Sequence, residues 1–219
     1  MVELSLVEPD AVVVLAGGDP IDPVVADDLP SPAFVVAADS GLHQADLLGL
    51  DVDLIVGDLD SVSAAALAKA EGIPIEQHPT DKSQTDLELA LDAARRLDVG
   101  RLVVVGGDGG RLDHLLINAA VLRNPRLAHM RIEWFAGQAH TYVVRSEQTL
   151  HGAPGDLVSL LAVDGPAKGV RTSGLKWELS GATLEPTSGQ GLSNVFEKPV
   201  ARVSVEQGVL LVILPAGGS

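Results

Sequence analysis

Asp53-Leu54-Ile55-Val56-Gly57-Asp58-Leu59-Asp60-Ser61 is the stretch from which the fold is read. An unbroken apolar run without in-and-out alternation suits a strand buried on both faces, the habit of a parallel sheet. It stops at a glycine and hands over to two acids. The same pattern recurs on either side. Ala11-Val12-Val13-Val14-Leu15-Ala16 ends in Gly17-Gly18, and Ala33-Phe34-Val35-Val36-Ala37-Ala38 ends in Asp39-Ser40-Gly41. Leu102-Val103-Val104-Val105 ends in Gly106-Gly107-Asp108. Between the later runs, Leu87, Ala90, Leu91, Ala94 and Leu97 fall at helical spacing, as do Leu112, Leu115, Ala119 and Leu122. Strand and helix in alternation predict an α/β domain, an open parallel, Rossmann-like sheet, over residues 1–135.

After about Arg131 the texture changes. Short strand-like runs such as Thr141-Tyr142-Val143-Val144 and Leu157-Val158-Ser159-Leu160-Leu161 are separated by Gly and Pro turns, with no long helix in view. Residues 201–205 and 209–214 flank Glu206-Gln207-Gly208 and read as a hairpin. Residues 136–219 are therefore expected to form a small all-β domain.

Composition narrows the chemistry. The formal charge of −15 makes a nucleic acid or an anionic membrane an unfavourable partner. A polyphosphate would need a divalent cation to approach so acidic a surface. The chain has no cysteine, which excludes disulfides, thiolate metal sites and a cysteine nucleophile. Residues 1–8 lack a basic segment and are broken by acids, unlike a signal peptide, so a cytoplasmic address is expected. Residues 11–18, the longest apolar run near the start, are too few to span a bilayer.

In a parallel sheet ligands bind beyond the carboxyl ends of the strands. Asp39, Asp58, Asp60, Asp108 and Asp113 all follow such ends. Asp58 and Asp60 are two apart, so in extended chain their carboxylates leave from one side, roughly 6–7 Å apart at the backbone. A hard cation such as Mg²⁺ takes a few carboxylates together with water and phosphate oxygens. For any single Asp a turn-capping role is the commoner one. The Gly-Asp-x-Asp pair together with Asp39 and Asp113 favours a metal site.

Two further segments carry polar chemistry. In Thr80-Asp81-Lys82-Ser83-Gln84-Thr85-Asp86-Leu87-Glu88, both Ser83…Asp86 and Thr85…Glu88 fit a capping box and predict a helix start. Capping alone accounts for Asp86 about as well as function does. Lys82, Gln84 and the free N–H groups of a helix start add a nucleotide contact to the reading. Gly106-Gly107-Asp108-Gly109-Gly110-Arg111-Leu112-Asp113-His114 is a glycine-rich turn suited to cradling phosphate. It is neither a P-loop nor the dinucleotide fingerprint. Arg111, His114 and Asn118 share one face of the helix that follows. A solvated face explains His114 and Asn118 equally well, whereas Arg111 is the natural fork for phosphate oxygens.

These segments resemble, in order along the chain, the motifs of the thiamine pyrophosphokinase family. The resemblance rests on Ala38-Asp39-Ser40-Gly41, on residues 53–61, on Asp81-Lys82-Ser83-Gln84-Thr85-Asp86 and on Gly110-Arg111-Leu112-Asp113-His114. Gly174-Leu175-Lys176-Trp177 and Gly191-Leu192-Ser193-Asn194 extend it into the β-domain. It implies transfer of the terminal diphosphate of ATP to the hydroxyl of thiamine, giving thiamine diphosphate and AMP. It also implies that residues 136–219 form a β-sandwich that binds thiamine and dimerises, in a homodimer whose active site is shared between subunits. By motif matching Asp58, Asp60 and Asp86 hold Mg²⁺, with Asp39 and Asp113 nearby. Gln84 and Arg111 fall to the phosphates and Trp177, Ser193 and Asn194 to thiamine; the expected nucleotide site as a whole comprises Asp39, Lys82, Gln84, Thr85, Gly107, Gly110, His114 and Asn118. The catalytic set is Asp58, Asp60, Asp86, Arg111 and Asp113, with Asp86 or Asp113 as a late proton acceptor. Departures are Leu59 where relatives often carry Phe, no Pro before Asp53, and His43 near a frequent Asn.

Other readings of the same residues are a pyrophosphokinase for another alcohol such as a hydroxymethylpterin, a non-catalytic nucleotide or thiamine binder, and a metal-dependent nucleotide hydrolase. The β-domain motifs speak against the first, and retention of all the carboxylates speaks against the second.

Overall fold

The computed structural model describes residues 11–60, 62–63, 66, 68 and 70–215. The opening residues 1–8 and Ser61, both read above, lie outside them. The chain divides into two compact units, the first ending at Asn118 and the second beginning at Ala119.

In the first unit β1 (Ala11–Leu15), β2 (Pro32–Ala38), β3 (Leu54–Gly57), β4 (Ile75–Gln77) and β5 (Arg101–Val105) lie in the order β5-β1-β2-β3-β4. Every neighbouring pair is parallel. All of β1 is buried, as an unalternating apolar strand between two neighbours must be. The sequence reading missed β4. Its three residues follow Pro74 and include an acid, and Ile75 is exposed, which is the character of an edge strand.

Three helices matter to the site: α1 (Leu42–Leu48), α2 (Asp86–Arg95) and α3 (Leu112–Val121). Of the two overlapping capping boxes only Thr85…Glu88 forms. The Glu88 N–H donates to Thr85 Oγ1 at 3.2 Å and the Thr85 N–H donates to Glu88 Oε2 at 2.9 Å. Leu87, Ala90, Leu91 and Ala94 are buried on α2, which packs against β1, β2 and β3. Leu97, assigned to the same stripe, lies past the helix end and is exposed. The expected faces of α3 are also partly wrong. Leu112 is 67% exposed, whereas Asn118, placed on the polar face, is buried.

In the second unit β6 (Arg131–Ala136), β7 (Ala139–Val144), β9 (Leu157–Ala162), β12 (Asn194–Val195) and β14 (Leu210–Leu214) form an antiparallel run in the order β12-β9-β14-β7-β6. A second antiparallel sheet has the order β11-β10-β13-β8, from β8 (Glu147–His151), β10 (Ala167–Ser173), β11 (Ser180–Leu184) and β13 (Val200–Ser204). Both contribute to one core, in which Leu150 and Val203 meet Leu160, Leu210 and Val212.

The expected hairpin of residues 201–214 does not form. β13 pairs with β8 and β10, while β14 pairs with β7 and β9. The turn between them is captured instead by Lys168, whose N–H donates to the Gln207 carbonyl at 2.8 Å and whose carbonyl accepts from the Glu206 N–H at 3.0 Å. The chain thus steps from one sheet to the other, and the apolar residues of both strands enter the common core. No helix among the described residues is long and apolar enough to cross a membrane.

Candidate active site

β2 and β3 are neighbours, with Ala38 beside Val56 in register, so their carboxyl ends deliver Asp39 and the Asp58–Asp60 pair to one place. One carboxylate oxygen from each of Asp39, Asp58 and Asp60 lies within 4.8 Å of the other two. Gly57 makes the approach possible. A Cβ there would stand 3.0 Å from Asp39 Cβ and 3.2 Å from Asp86 Oδ1. Asp39 and Leu59 adopt positive φ, 46° and 65°, a conformation costly for Leu and held only by its surroundings. Leu59 earns its place by packing beside Val52 and Ile73 against the core that contains Ile55 and Leu42. Three oxygens converging in this way fit a hard divalent cation.

Asp86, at the first turn of α2, is not one of that triple. Its Oδ1 accepts from Lys82 Nζ at 2.7 Å, and the same ammonium donates to Asp58 Oδ2 at 3.0 Å. Lys82 therefore joins the two acids. Burial raises the Asp39 carboxyl above its ordinary range. The Ser40 N–H bond opposes the rise, and the charges of Asp86, Asp58 and Asp60 add to it. The Asp58 carboxyl is held low, first by its bond to Lys82 and then by the Asp60 N–H. For Lys82 burial works against the charge, and the bonds to Asp86 and Asp58 outweigh it.

These shifts set a trade-off. A carboxyl raised on folding stabilises the fold below its unfolded pKa and loses that contribution as pH rises through the folded value. Near neutral pH ionised Asp39 is thus a burden on the metal-free protein. Asp39→Asn is expected to raise the metal-free melting temperature at pH 7 by about 2–4 °C, of the order of 1 kcal/mol. The gain should shrink as pH falls below the raised value, and thermal scans between pH 7 and 4 would check it. An equal gain at every pH would mean that charge is not its origin.

Beside the acids lies a cleft of about 240 Å³, walled by Ala16, Gly17 and Gly18 after β1, by Asp39 and Ser40 after β2, and by Gly107, Asp108 and Gly109 after β5. The start of α2 (Thr85, Asp86, Leu87) and Arg111, His114 and Asn118 complete it. The loops after β1 and β5 are sewn together by their backbones. The Gly107 N–H donates to the Gly17 carbonyl at 2.7 Å and the Asp19 N–H to the Asp108 carbonyl at 3.0 Å. Two buried amides brace them. Gln44 accepts from the Ile21 N–H at 3.0 Å and donates to the Asp19 carbonyl at 2.9 Å. Asn118 Nδ2 donates to the Gly107 carbonyl at 2.7 Å, which is why this polar residue is buried.

Of the residues picked out in the sequence, Asp39, Thr85, Asp86, Gly107, Arg111, His114 and Asn118 line the cleft, and Asp58, Asp60 and Lys82 gather with Asp39 and Asp86. Gln84, Gly110 and Asp113 are not among the cleft residues. Gln84 donates to Asp92 Oδ2 at 3.2 Å on the exposed flank of α2. Asp113 is paired with Arg111 through two bonds of 3.0 and 2.5 Å, both side chains largely in solvent. That bond holds the Asp113 carboxyl well below the usual range. His43 is exposed on α1. Gly17, Gly18 and Ser40 also line the cleft without having been expected as site residues, and Asp108, expected only as a strand-end acid, joins them. Gly17-Gly18 had the same signal as the other strand ends, a glycine stop after a buried run, but no acid to draw attention to it.

In the second unit, Trp177 is 54% exposed and carries Lys176 Nζ 4.8 Å from its ring centre. Asn194 is buried. Its Oδ1 accepts from the Trp177 N–H at 3.1 Å and its Nδ2 donates to the Trp177 carbonyl at 2.8 Å. This amide holds the Trp177 backbone. Ser193 is exposed at a φ of 55°, and its N–H donates to Ser159 Oγ at 3.0 Å. Leu192 beside it is exposed as well.

Comparison with known proteins agrees with these features. Residues 28–134 match the thiamin pyrophosphokinase catalytic domain, and residues 141–210 match the thiamin pyrophosphokinase vitamin B1 binding domain. A rice protein named thiamine pyrophosphokinase 1 is 24% identical over 177 residues, which cover 74% of this chain and 65% of the rice protein. The crystal structure of thiamine pyrophosphokinase from Bacillus subtilis superposes with a TM-score of 0.84 at 22% identity, covering 95% of this chain and all of that one. A thiamin pyrophosphokinase family protein from Enterococcus faecalis gives 0.77 at 25% identity, again over 95% of this chain and all of that one. The chain belongs to the thiamin pyrophosphokinase family.

Proposed function

We propose that this protein transfers the terminal diphosphate of ATP to the hydroxyethyl oxygen of thiamine, releasing AMP. The observation that carries this reading is the convergence of Asp39, Asp58 and Asp60 beside a glycine-walled cleft with Arg111 at its rim. The donor set fits Mg²⁺, which Asp39, Asp58 and Asp60 would hold, with Asp86 close by. Bound there, the ion supplies charge neutralisation for the phosphate chain. The chain's own residues position the reactants. Backbone next to Gly17, Gly18 and Gly107 lets phosphate approach closely, and Arg111 offers a planar fork.

The thiamine oxygen attacks the β-phosphorus as its bond to the oxygen bridging the α-phosphorus breaks. AMP takes the electron pair, and the alcohol proton leaves late. A loose transition state of this kind asks mainly for alignment and little of a base. Of the two acids considered for that proton, Asp113 stands outside the cleft, paired with Arg111 in solvent, whereas Asp86 lines the cleft beside the cluster and is the better placed. The homodimer with a shared active site and the cytoplasmic address are part of the same proposal, carried over from the family.

Purified protein with Mg-ATP and thiamine is expected to give AMP and thiamine diphosphate in equal amounts. ADP would indicate an ordinary kinase, and AMP release without thiamine a hydrolase. Turnover with a hydroxymethylpterin and not with thiamine would move the reading to another alcohol. The exposed indole of Trp177 offers a face to the thiazolium cation, worth about 1–2 kcal/mol when desolvated. Trp177→Ala is therefore expected to raise the KM for thiamine by roughly tenfold while leaving the KM for ATP unchanged. Steady-state kinetics with each substrate varied in turn decide it, and a parallel rise in both constants would count against a thiamine contact.

A further inference from the structure

Lys82 sits where the proposed ion's ligands are. Its ammonium bridges Asp58 and Asp86, its side chain is only 14% exposed, and Asp58 is more deeply covered still. Both oxygens of Asp58 are engaged in this arrangement, Oδ2 by Lys82 and Oδ1 by the Asp60 N–H at 3.3 Å. A cation held by Asp58 and the Lys82 ammonium would then share one carboxylate, and their like charges repel over that short span. The lysine is built to yield. It stands on an irregular stretch before the Thr85 cap, its own N–H held by the Thr80 carbonyl at 3.1 Å. A Lys head is a compact charge on a flexible stem, without the fixed fork that would tie an Arg in place.

We propose that Lys82 is the resident counter-ion of the acidic cluster in the metal-free protein and is expelled from it by the divalent ion, which frees its ammonium for the phosphate chain of the nucleotide. This rests on the reading of the cluster as a divalent-ion site given above. Before the ion arrives, Lys82 keeps Asp58 and Asp86 from repelling each other. When the ion binds, the lysine is exchanged and not merely joined. The site therefore passes from one cation to another without exposing bare carboxylates, and the phosphate-binding charge is delivered only to a metal-loaded site.

Two measurements without nucleotide test the exchange. Mn²⁺ titrations followed by the free-ion paramagnetic resonance signal should show Lys82→Met binding roughly tenfold more tightly than the native protein, the size expected from removing a partly buried competing ion pair. Lys82→Gln serves as a second variant should Lys82→Met fold poorly. In the native protein, Mg²⁺ should raise acetylation of Lys82 by an amine-reactive reagent several-fold, read by peptide mass spectrometry. The exposed Lys168, Lys176 and Lys198 should stay constant as references. Equal or weaker Mn²⁺ binding in the variants, or Lys82 labelling indifferent to Mg²⁺, overturns the exchange. The thiamine diphosphate assay stands apart from both. A native protein that makes thiamine diphosphate while Lys82 ignores Mg²⁺ sinks this inference alone.

Discussion

The Asp60→Asn protein is expected to fold as the native chain does and to turn over about a thousandfold more slowly, the scale of losing one preorganised electrostatic group at a reacting phosphate. Asp60 is exposed, and the bond that its position contributes to the loop comes from its backbone N–H to Asp58 Oδ1. Asparagine keeps that backbone bond and the side-chain shape, and removes only the charge and one hard oxygen. Stability should then stay within about 0.5 kcal/mol of native, as for an exposed substitution. The triple of Asp39, Asp58 and Asp60 loses one of its anionic donors. Paired melting curves and AMP-release rates decide the matter. Turnover within tenfold of native would remove Asp60 from the ion site, and a collapse of the melting transition would make its role structural.

Gly18→Ala should have a large structural effect for a single methyl. Gly18 adopts a φ of 123°, and a Cβ there would lie 2.0 Å from the Asp108 carbonyl oxygen. That obstacle is backbone, so no side chain can swing aside. Separating the loops would break the Asp19 to Asp108 bond and open the cleft. A disallowed backbone with enforced separation amounts to about 3–4 kcal/mol, or a drop in melting temperature of roughly 10 °C. The KM for ATP should rise with it. Gly110→Ala is the control. Gly110 also has positive φ, 60°, but a Cβ there would meet nothing within 4 Å. Its cost should be near 1 kcal/mol, that of the backbone conformation alone. Equal shifts in the two variants would show that the close approach at Gly18 does not matter.

Four of the five parallel strands among the described residues were legible because burial on both faces leaves a plain mark, an apolar run cut by glycine, and β1, β2, β3 and β5 all stand where those runs are. The Thr85 cap and the buried stripe of α2 were equally readable, since each depends on spacing within one turn or two. What was lost depends on partners distant in sequence. Asn118 looks polar and is buried because the Gly107 carbonyl needs a donor, and nothing near Asn118 in the sequence announces that need. Leu112 looks like core and is exposed for the same lack of a local rule. Strand-end acids pointed to the cluster. The sequence could offer Lys82 as a phosphate contact, but its bridge between Asp58 and Asp86 comes from folding together segments that the chain keeps apart.

The step of the chain from β13 in one sheet to β14 in the other has a kinetic consequence. A hairpin at residues 201–214 would have closed in microseconds and served as a local nucleus. Instead β14 must find Val143 and Leu161, and β13 must find Thr149, across long stretches of intervening chain. High contact order of this kind slows refolding, so the second unit should regain its structure on a scale of milliseconds to seconds. Until β14 arrives, β7 and β9 each lack a neighbour. During that interval their bare edges are the place where one molecule can be mistaken for another.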